Sequence, residues 1–402
     1  MKISSVVKNN LCVSCGLCAG VCPKKCIASS FDKGSYLPTI DEDACVNCGI
    51  CYKVCPGKSS DYSTDAATNI FFGRAIKCLA VQTKDKEILL QSTSGGVVTT
   101  LIKNLLAEKI FDAAFLVDTY NHDKETFTRQ YSAESDFTNM PKSRYITVNQ
   151  SRSVRYMIEN PDKKIILVGT SCFVQGILNV IAHFKLNREN YFLAGLFCDK
   201  TMNYNVWNYF KKFIPADNLH FRDKIPNGWP GDVMIESNGK KYVLSRQSRM
   251  RMKDFFCVDR CNYCLDKLNQ FADISFGDNY SETPLPENMN RKAGTSNVII
   301  RTKRGAEIFN RYAEKFFVHE ISADEIYKSQ HVDVRIKNFI FGEYKSAQVG
   351  YPINKVPAEI SYSVYEDPKM RREYESLMAK QKMGREKFFP SVAVSLWRTT
   401  HQ

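Results

Sequence analysis

The strongest constraint on this chain is a cysteine spacing that occurs twice in its first 55 residues. Each copy reads C-x2-C-x2-C-x3-C followed by proline, and the second copy begins 33 residues after the first. The first copy consists of Cys12, Cys15, Cys18 and Cys22, and the second of Cys45, Cys48, Cys51 and Cys55. Two-residue gaps let successive thiolates face one iron–sulfur cubane, and the fourth cysteine of such a run ligates the other cluster. The spacing therefore predicts two [4Fe-4S] clusters.

The ligand sets follow from this crossing of the fourth cysteines. Cluster I is predicted on Cys12, Cys15, Cys18 and Cys55, and cluster II on Cys45, Cys48, Cys51 and Cys22. Zinc is the alternative, but zinc sites pair two CxxC motifs and do not repeat a triple run with a proline-flanked fourth cysteine. Cys26 is left over and is expected to be a small buried apolar residue. With a predicted strand at 35–40, residues 1–60 resemble dicluster ferredoxins, which implies one-electron transfer.

Composition narrows the class of protein further. A chain of 402 residues is expected to form two or three domains, and 44% apolar with 25% charged residues excludes a largely disordered protein. No apolar run reaches the length of a membrane span, so we predict no membrane span and a cytoplasmic location. The formal net charge of +13 does not count the negative charges of the ligand thiolates, so the true net charge is lower. The basic residues are spread along the chain and form no basic motif interleaved with aromatic residues. We therefore predict no nucleic-acid partner.

The middle of the chain alternates short apolar segments with helical periods. Residues 87–90 are interpreted as a short strand, followed by a glycine turn and a helix that extends to Ile110. A second strand at 165–168 precedes a helix at 173–184, and a third strand covers 191–197. This alternation predicts an α/β sheet, in which ligands bind beyond the carboxyl ends of the strands. A glycine turn that opens a helix also suits a phosphate group.

A second cysteine set lies further along the chain. Cys257, Cys261 and Cys264 follow the spacing CxxxCxxC, and with a fourth thiol they would hold a third cubane. Zinc is one alternative, and a radical S-adenosylmethionine site is another. The second is disfavoured because that motif normally opens a long series of βα repeats, whereas only 138 residues follow Cys264.

The order of several short motifs resembles one family, the beta subunit of coenzyme F420-reducing hydrogenase and its relatives. These relatives include formate dehydrogenase beta subunits and 7-hydroxymethyl chlorophyll a reductase. The resemblance covers roughly residues 75–320 and rests on the segments 94–96, 142–145, 168–172, 195–198, 221–229, 261–278 and 294–302.

The resemblance implies a non-covalent FAD with a [4Fe-4S] cluster beside it. The flavin-binding residues implied by position are Ser94, Gly95, Gly96, Lys142, Ser143, Tyr145, Gly169 and Thr170. Cys198, Cys261 and Cys264 would be ligands of the third cluster, and the fourth ligand stays open between Cys172 and Cys257. The family's usual Gly-Thr-Pro-Cys-Gln turn is altered here by Ser171 and Phe173, which removes a polar side chain near the cofactor. No catalytic residue is assigned.

The expected fold is a multidomain α+β and α/β protein, with a small dicluster ferredoxin-like domain before an α/β flavin- and cluster-binding domain. Its expected parts are the ferredoxin domain (1–60), a linker (61–75), the two parts of the flavin domain (76–160 and 161–345) and a helical C-terminal extension (346–402). The expected function is an oxidoreductase that passes electrons between a redox carrier and a small molecule through FAD and the clusters. The alternative is an electron-transfer subunit that has no substrate of its own and docks to a larger enzyme.

The resemblance implies three kinds of partner. The electron carrier would be a ferredoxin, a deazaflavin or a nicotinamide, or a redox partner protein in its place. The small-molecule substrate could belong to polysaccharide biosynthesis, where relatives of the family also occur.

Overall fold

An eight-stranded mixed sheet forms the centre of the fold in the computed structural model. The structure describes residues 1–63, 69–117, 125–137, 142–213, 217–224, 227–244, 246–357, 360 and 367–386. The strands are Ile27–Asp32 (β1), Ser35–Ile40 (β2), Ser60–Asp61 (β3), Lys77–Thr83 (β4), Ala113–Val117 (β5), Thr128–Tyr131 (β6), Ile165–Thr170 (β7), Tyr191–Leu196 (β8), Asn218–Asp223 (β9), Asp232–Ser237 (β10), Lys240–Leu244 (β11), Ile274–Asp278 (β12), Ser296–Ile300 (β13), Phe316–Glu320 (β14) and Asn354–Lys355 (β15).

The helices flank this sheet and build the two ends of the chain. They are Ser4–Lys8 (α1), Leu17–Val21 (α2), Ile50–Lys53 (α3), Lys86–Gln91 (α4), Val97–Ala107 (α5), Ser151–Glu159 (α6), Ser171–Phe184 (α7), Asn205–Phe213 (α8), Arg246–Phe256 (α9), Lys303–Arg311 (α10), Ala323–Ser329 (α11), Arg335–Val349 (α12) and Pro368–Glu386 (α13). None of the described helices has the length and apolarity to cross a membrane.

The central sheet has the order β14-β4-β13-β12-β8-β7-β5-β6. Strands β5, β7, β8 and β12 are parallel to their neighbours in this set, and the outer strands are antiparallel. Parallel strands end at the same edge of a sheet, so the segments that follow β7, β8 and β12 meet there. A separate antiparallel sheet, β11-β10-β9, lies in the second half of the chain.

The predicted strands at 165–168 and 191–197 are confirmed with small changes at their ends, and so is the helix after the glycine turn. The interpretation of residues 87–90 as a strand is wrong. These residues lie in α4, because the Asp85 side chain accepts hydrogen bonds from the backbone N–H groups of Glu87 and Ile88 and caps a helix. The strand that precedes the glycine turn is β4, several residues earlier.

The N-terminal segment forms a small ferredoxin-like domain that packs closely on the larger one. Gly20 of α2 lies against α6, where an added Cβ would stand 2.8 Å from Cβ of Val154. Gly176 of α7 likewise leaves room for Leu17 and Pro56. The segment expected to be a linker contributes Ile70, Phe71 and Phe72 to a hydrophobic cluster, and residues 64–68 lie outside the described residues.

The C-terminal helix is present as predicted, but it is not solvated on every face. Tyr374 and Gln381 of α13 are buried, and the Gln381 side chain exchanges hydrogen bonds with Asn262 at 2.7 and 3.2 Å. Gly384 packs on the backbone of Phe255 at the end of α9. The helix therefore fixes the segment around Cys257–Cys264 from outside. The domain boundaries given above stay predictions.

Candidate functional site

A cavity of about 930 Å³ opens at the carboxyl edge of the parallel strands. Of the eight residues implied for a flavin, seven line it: Ser94, Gly96, Lys142, Ser143, Tyr145, Gly169 and Thr170. Gly95 lies behind this wall, where its backbone N–H donates to Oγ of Ser296 at 3.0 Å. The structure thus brings together, around one cavity, residues separated by as many as 76 positions in the chain.

The glycine turn is held against the start of β13. Gly96 has φ of +75°, a left-handed backbone conformation that residues with a side chain rarely adopt, and it is the N-cap residue of α5. Gly95 has no space for a side chain, because an added Cβ would stand 2.5 Å from the carbonyl oxygen of Val81. The Ser94 hydroxyl donates to the carbonyl of Thr295 at 2.9 Å. These contacts place the free N-terminal end of α5 at the cavity.

A buried charge network closes one side of the cavity, and the sequence assigned no role to it. The Arg222 guanidinium donates to both carboxylate oxygens of Asp278, and the indole Nε1 of Trp229 donates to Oδ1 of Asp278 at 2.7 Å. Burial alone would raise the pKa of Asp278, but the Arg222 cation and these hydrogen bonds hold it below its usual value. These residues lie in segments 221–229 and 261–278, which are part of the family resemblance. The sequence thus indicated that the segments matter, but it did not indicate this ion pair.

Lys224 extends this network beneath the glycine turn. Its ammonium group donates to the carbonyls of Leu89, Ser94 and Ala293 at 2.6, 3.1 and 2.7 Å. Burial, with the Arg222 cation nearby, lowers the pKa of Lys224 to about 8. The lysine therefore connects α4, the glycine turn and the loop before β13 at one point.

The four thiols predicted for the third cluster interact with one another, and three of them, Cys172, Cys198 and Cys261, line the other side of the cavity. Cys172 follows β7, Cys198 follows β8, and Cys261 and Cys264 precede β12. Burial raises the pKa of Cys172 to about 12, and the thiols of Cys261 and Cys264 add to this shift. Burial also raises the pKa of Cys198, with contributions from Cys261, Cys172 and Cys264. We call Cys172, Cys198, Cys261 and Cys264 the four-thiol group.

Cys257 has a different environment. It is buried, and its thiol donates to the carbonyl of Val258 at 3.2 Å. It interacts with the side chain of Cys261, whereas Cys172 interacts with three other thiols of the four-thiol group. The sequence left the fourth ligand open between Cys172 and Cys257. Cys172 lines the cavity, whereas Cys257 does not.

Two buried arginines supply positive charge to these thiols. Arg335 donates to the carbonyls of Cys198 and Asp199 at 3.1 and 3.0 Å, and Arg260 donates to the carbonyl of Gly57 at 3.0 Å. Nε of Arg335 and Nη1 of Arg260 are buried donors with no hydrogen-bond partner among the described residues. A buried donor without a partner is costly, and the acceptor sulfurs of a cluster would satisfy it.

The eight ferredoxin cysteines fall into two groups in the structure. Cys12, Cys15, Cys18 and Cys55 line one small cavity, and Cys22, Cys45, Cys48 and Cys51 line another. These are the sets predicted for clusters I and II. Among the described residues, no three side chains of His, Cys, Asp or Glu converge as ligands of a single metal ion would. Thiolates of a cubane each bind a different iron, so they need not converge in that way.

The cysteines predicted for cluster I lie on the inner side of the ferredoxin-like domain. Cys15 lines the main cavity together with Cys172, and the two thiols interact electrostatically. The carbonyl of Cys15 also accepts a hydrogen bond from the backbone N–H of Gln150 at 2.8 Å. Cys48, a predicted ligand of cluster II, is in contrast exposed. The ferredoxin domain therefore faces the cavity with one cluster site and the surface with the other.

Comparison with known proteins decides the family. The model of the coenzyme F420 hydrogenase/dehydrogenase beta subunit matches this chain with its N-terminal part at residues 78–154 and its C-terminal part at residues 162–325. The chain belongs to this family. A 4Fe-4S dicluster domain matches residues 7–59, so the chain is an iron–sulfur protein of a family of oxidoreductases.

The sequence identity between this chain and individual members of the family is low. It is 24% identical over 353 residues to the coenzyme F420-dependent sulfite reductase of Methanocaldococcus jannaschii, which is 83% of this chain but only 50% of that protein. It is also 24% identical over 340 residues to one of the subunits of the F(420)H(2) dehydrogenase of Methanosarcina mazei, covering 79% of this chain and 87% of the relative. The chain thus spans half the length of the first of these relatives.

A solved structure shows the same fold as this F420-family chain. It is a chain of the F420-reducing [NiFe] hydrogenase complex from Methanosarcina barkeri, with a TM-score of 0.54 and 19% identity. The match covers 71% of the present chain and 97% of the other.

Proposed function

We propose that this chain is an FAD-dependent iron–sulfur oxidoreductase with a third [4Fe-4S] cluster next to the flavin. The observation that carries the proposal is the single cavity that has the glycine turn at Ser94–Gly96 on one side and the thiols of Cys172, Cys198 and Cys261 on the other. Bound FAD would exchange two electrons with a small molecule and pass them singly to the clusters.

The cavity suits a flavin in size and in chemistry. Its volume of about 930 Å³ lies within the range of sites that enclose cofactors. The free N–H groups at the start of α5 and the ammonium group of Lys142 favour the negative charge of a pyrophosphate. The aromatic ring of Tyr145 and the apolar side chains of Val97 and Val168 supply surfaces for rings. These residues would hold and orient the cofactor.

The four-thiol group suits a cubane better than any set that contains Cys257. Its members come from three different segments that meet at the edge of the sheet, and buried Arg335 and Arg260 offset the charge of their thiolates. We therefore propose Cys172, and not Cys257, as the fourth ligand.

Electrons would leave the cavity through the ferredoxin domain. The proximity of Cys15 to Cys172 joins the third cluster to cluster I, and the exposed Cys48 joins cluster II to the surface. Arg260 lies between the two inner sites, because it interacts with Cys55 of cluster I and with Cys264 of the four-thiol group. The order that we propose is flavin, third cluster, cluster I, cluster II and partner.

The carrier that exchanges electrons with the flavin is proposed to be coenzyme F420, a deazaflavin, because the names of the relatives above contain it. A nicotinamide or a ferredoxin is the alternative carrier. The cytoplasmic location and the small-molecule substrate stay predictions.

Anaerobic purification followed by iron, sulfide and flavin analysis tests this proposal. Three cubanes and one flavin give about twelve irons and one FAD per chain. Cys261→Ala should lower the iron content to about eight, whereas Cys78→Ala, a matched change of a buried cysteine in β4, should leave it unchanged. A wild-type protein with eight irons that takes up no FAD would overturn the proposal.

A subunit without a substrate of its own is the second candidate, and the exposed position of Cys48 favours it. Val46, beside this ligand, is 55% exposed, so a partner protein can approach cluster II closely. Turnover of reduced coenzyme F420 with a small-molecule acceptor by the isolated chain would exclude this candidate. Turnover that requires an added protein acceptor would support it.

A further inference from the structure

We propose that Cys26 is a reserve ligand of cluster II, able to replace Cys22 on its iron. This inference rests on the proposed function, because it concerns one of the clusters that the chain would hold. Four thiols are enough for a cubane, yet the cavity of cluster II is lined by five: those of Cys22, Cys45, Cys48 and Cys51, together with Cys26.

The two thiols are already in contact. Sγ of Cys22 and Sγ of Cys26 are 3.4 Å apart, and the Cys26 side chain also interacts with that of Cys45. A tight turn causes this approach, since the backbone N–H of Lys25 donates to the carbonyl of Cys22 at 3.2 Å and Lys25 has a left-handed φ of +52°. Cys26 therefore already lies at the cluster site, in contact with Cys22.

Both cysteines are fixed from behind by other parts of the protein. The Arg155 guanidinium donates to the carbonyl of Cys22 at 3.0 Å, and the carbonyl of Cys26 accepts a hydrogen bond from the backbone N–H of Asp41 at 2.9 Å. Cys26 is buried next to the first residue of β1. The expectation that it is merely a small apolar residue explains its burial, but not its place among the ligands.

The repeat in the sequence provides an internal comparison. Cys22 and Cys55 are equivalent, since each is the fourth cysteine of its run and crosses to the other cluster. The residue four positions later is Cys26 after Cys22 but Ser59 after Cys55, and the Ser59 hydroxyl donates to the carbonyl of Pro352 at 3.0 Å. The fold of the repeat does not require a cysteine there, and only cluster II has the additional thiol.

The ligand exchange needs no change in oxidation state. The bond between iron and Sγ of Cys22 breaks while a bond between the same iron and Sγ of Cys26 forms. The proton of the Cys26 thiol passes to the Cys22 thiolate, so the charge of the site is unchanged. Cluster II, at the surface, would thereby survive loss of one ligand.

Single and double variants of the full-length protein, purified anaerobically, test the proposal by iron content and by the electron paramagnetic resonance spectrum of the reduced clusters. Cys22→Ala should keep the iron content of the wild type with an altered signal for cluster II, and Cys26→Ala should also keep it. The double variant Cys22→Ala with Cys26→Ala should lose about one to four irons, the content of a damaged or missing cubane. Cys55→Ala, the matched control, should lose iron from cluster I as a single change.

Three results would overturn the reserve role. Cys22→Ala could lose as much iron as Cys55→Ala, Cys26→Ala could lose cluster II by itself, or the double variant could keep its full iron content. A wild-type protein without any cluster in the ferredoxin domain would contradict the proposed function instead, so the two failures are distinguishable.

Discussion

The Arg222 guanidinium and the Asp278 carboxylate form a two-point ion pair that connects β9 to the carboxyl end of β12. The arginine side chain is 2% exposed and the aspartate side chain 15% exposed. Nε of Arg222 also donates to the carbonyl of Pro230 at 2.7 Å. The small antiparallel sheet is thereby attached to the strand whose end forms part of the cavity.

Asp278→Asn should therefore destabilise the protein strongly. The change leaves the buried Arg222 without its counter-charge, and loss of one partner of a buried pair costs about 3–5 kcal/mol of unfolding free energy. Chemical denaturation of the purified protein measures this loss. Glu108→Gln breaks the exposed pair of Glu108 with Arg311 and should have little effect. Equal, small losses in both variants would contradict a structural role of the buried pair.

The contribution of Lys224 to stability should rise as the pH increases from about 8 to about 10. Burial lowers the pKa of Lys224 to about 8 in the folded protein, whereas the unfolded chain keeps the proton up to the usual lysine value of about 10.4. Between these values the unfolded state binds more protons, so raising the pH favours the folded state. Lys224 faces Arg222, Lys142 and Asp278.

Unfolding free energies of the wild type and of Lys224→Met, measured across this pH range, test the sign. The wild type should gain stability relative to the variant as the pH rises. Parallel profiles of the two proteins would show that Lys224 keeps its proton through the whole range.

Gly95→Ala should weaken both the fold and flavin binding. A Cβ at this position would stand 2.5 Å from the carbonyl oxygen of Val81 and 2.8 Å from the backbone nitrogen of Ser296, and neither backbone atom can move freely. The start of α5 must then shift away from its position at the cavity, where we propose that the flavin binds. Thermal denaturation and FAD titration measure the two effects.

Gly239→Ala is the matched control for this change. Gly239 has φ of +74° but no atom within 4 Å of an added Cβ. The Gly239→Ala variant should lose only about 1–2 kcal/mol of unfolding free energy through backbone strain and keep its affinity for FAD. Equal FAD affinity in both glycine variants would show that flavin binding does not depend on the conformation of the glycine turn.

The sequence was most informative where spacing alone determines chemistry. The two runs that end at Cys22 and Cys55 predicted the grouping of eight cysteines into two sets, since three ligands of each set are closely spaced and the fourth cysteine of each run is expected to cross to the other cluster. The helix at residues 97–107 was also visible from its long hydrophobic period, and the strands at 165–170 and 191–196 were visible as continuous apolar runs rich in β-branched or aromatic residues.

Helix caps, tight turns and long-range ion pairs were not visible in the same way. A four-residue apolar segment at 87–90 carries too little pattern to separate strand from helix, and the cap at Asp85 decided the outcome. The contact of Cys22 with Cys26 depends on a turn at Lys25, and the pairing of Arg222 with Asp278 joins residues 56 positions apart. Spacing in one sequence carries no information about either.

Cys172→Ala and Cys257→Ala should differ in iron content, and this difference identifies the fourth ligand of the proposed third cluster. Cys172 lines the cavity and interacts with Cys261, Cys264 and Cys198, so its loss should reduce the iron content from about twelve to about eight or nine. Cys257 donates its thiol hydrogen to the carbonyl of Val258, and its replacement should leave all the iron in place. Iron analysis of anaerobically purified protein gives the count, and electron transfer from the reduced flavin to an external acceptor should fail only in the Cys172 variant. A normal iron content in Cys172→Ala, combined with loss of iron in Cys257→Ala, would assign the cluster to the CxxxCxxC segment and Cys198 instead.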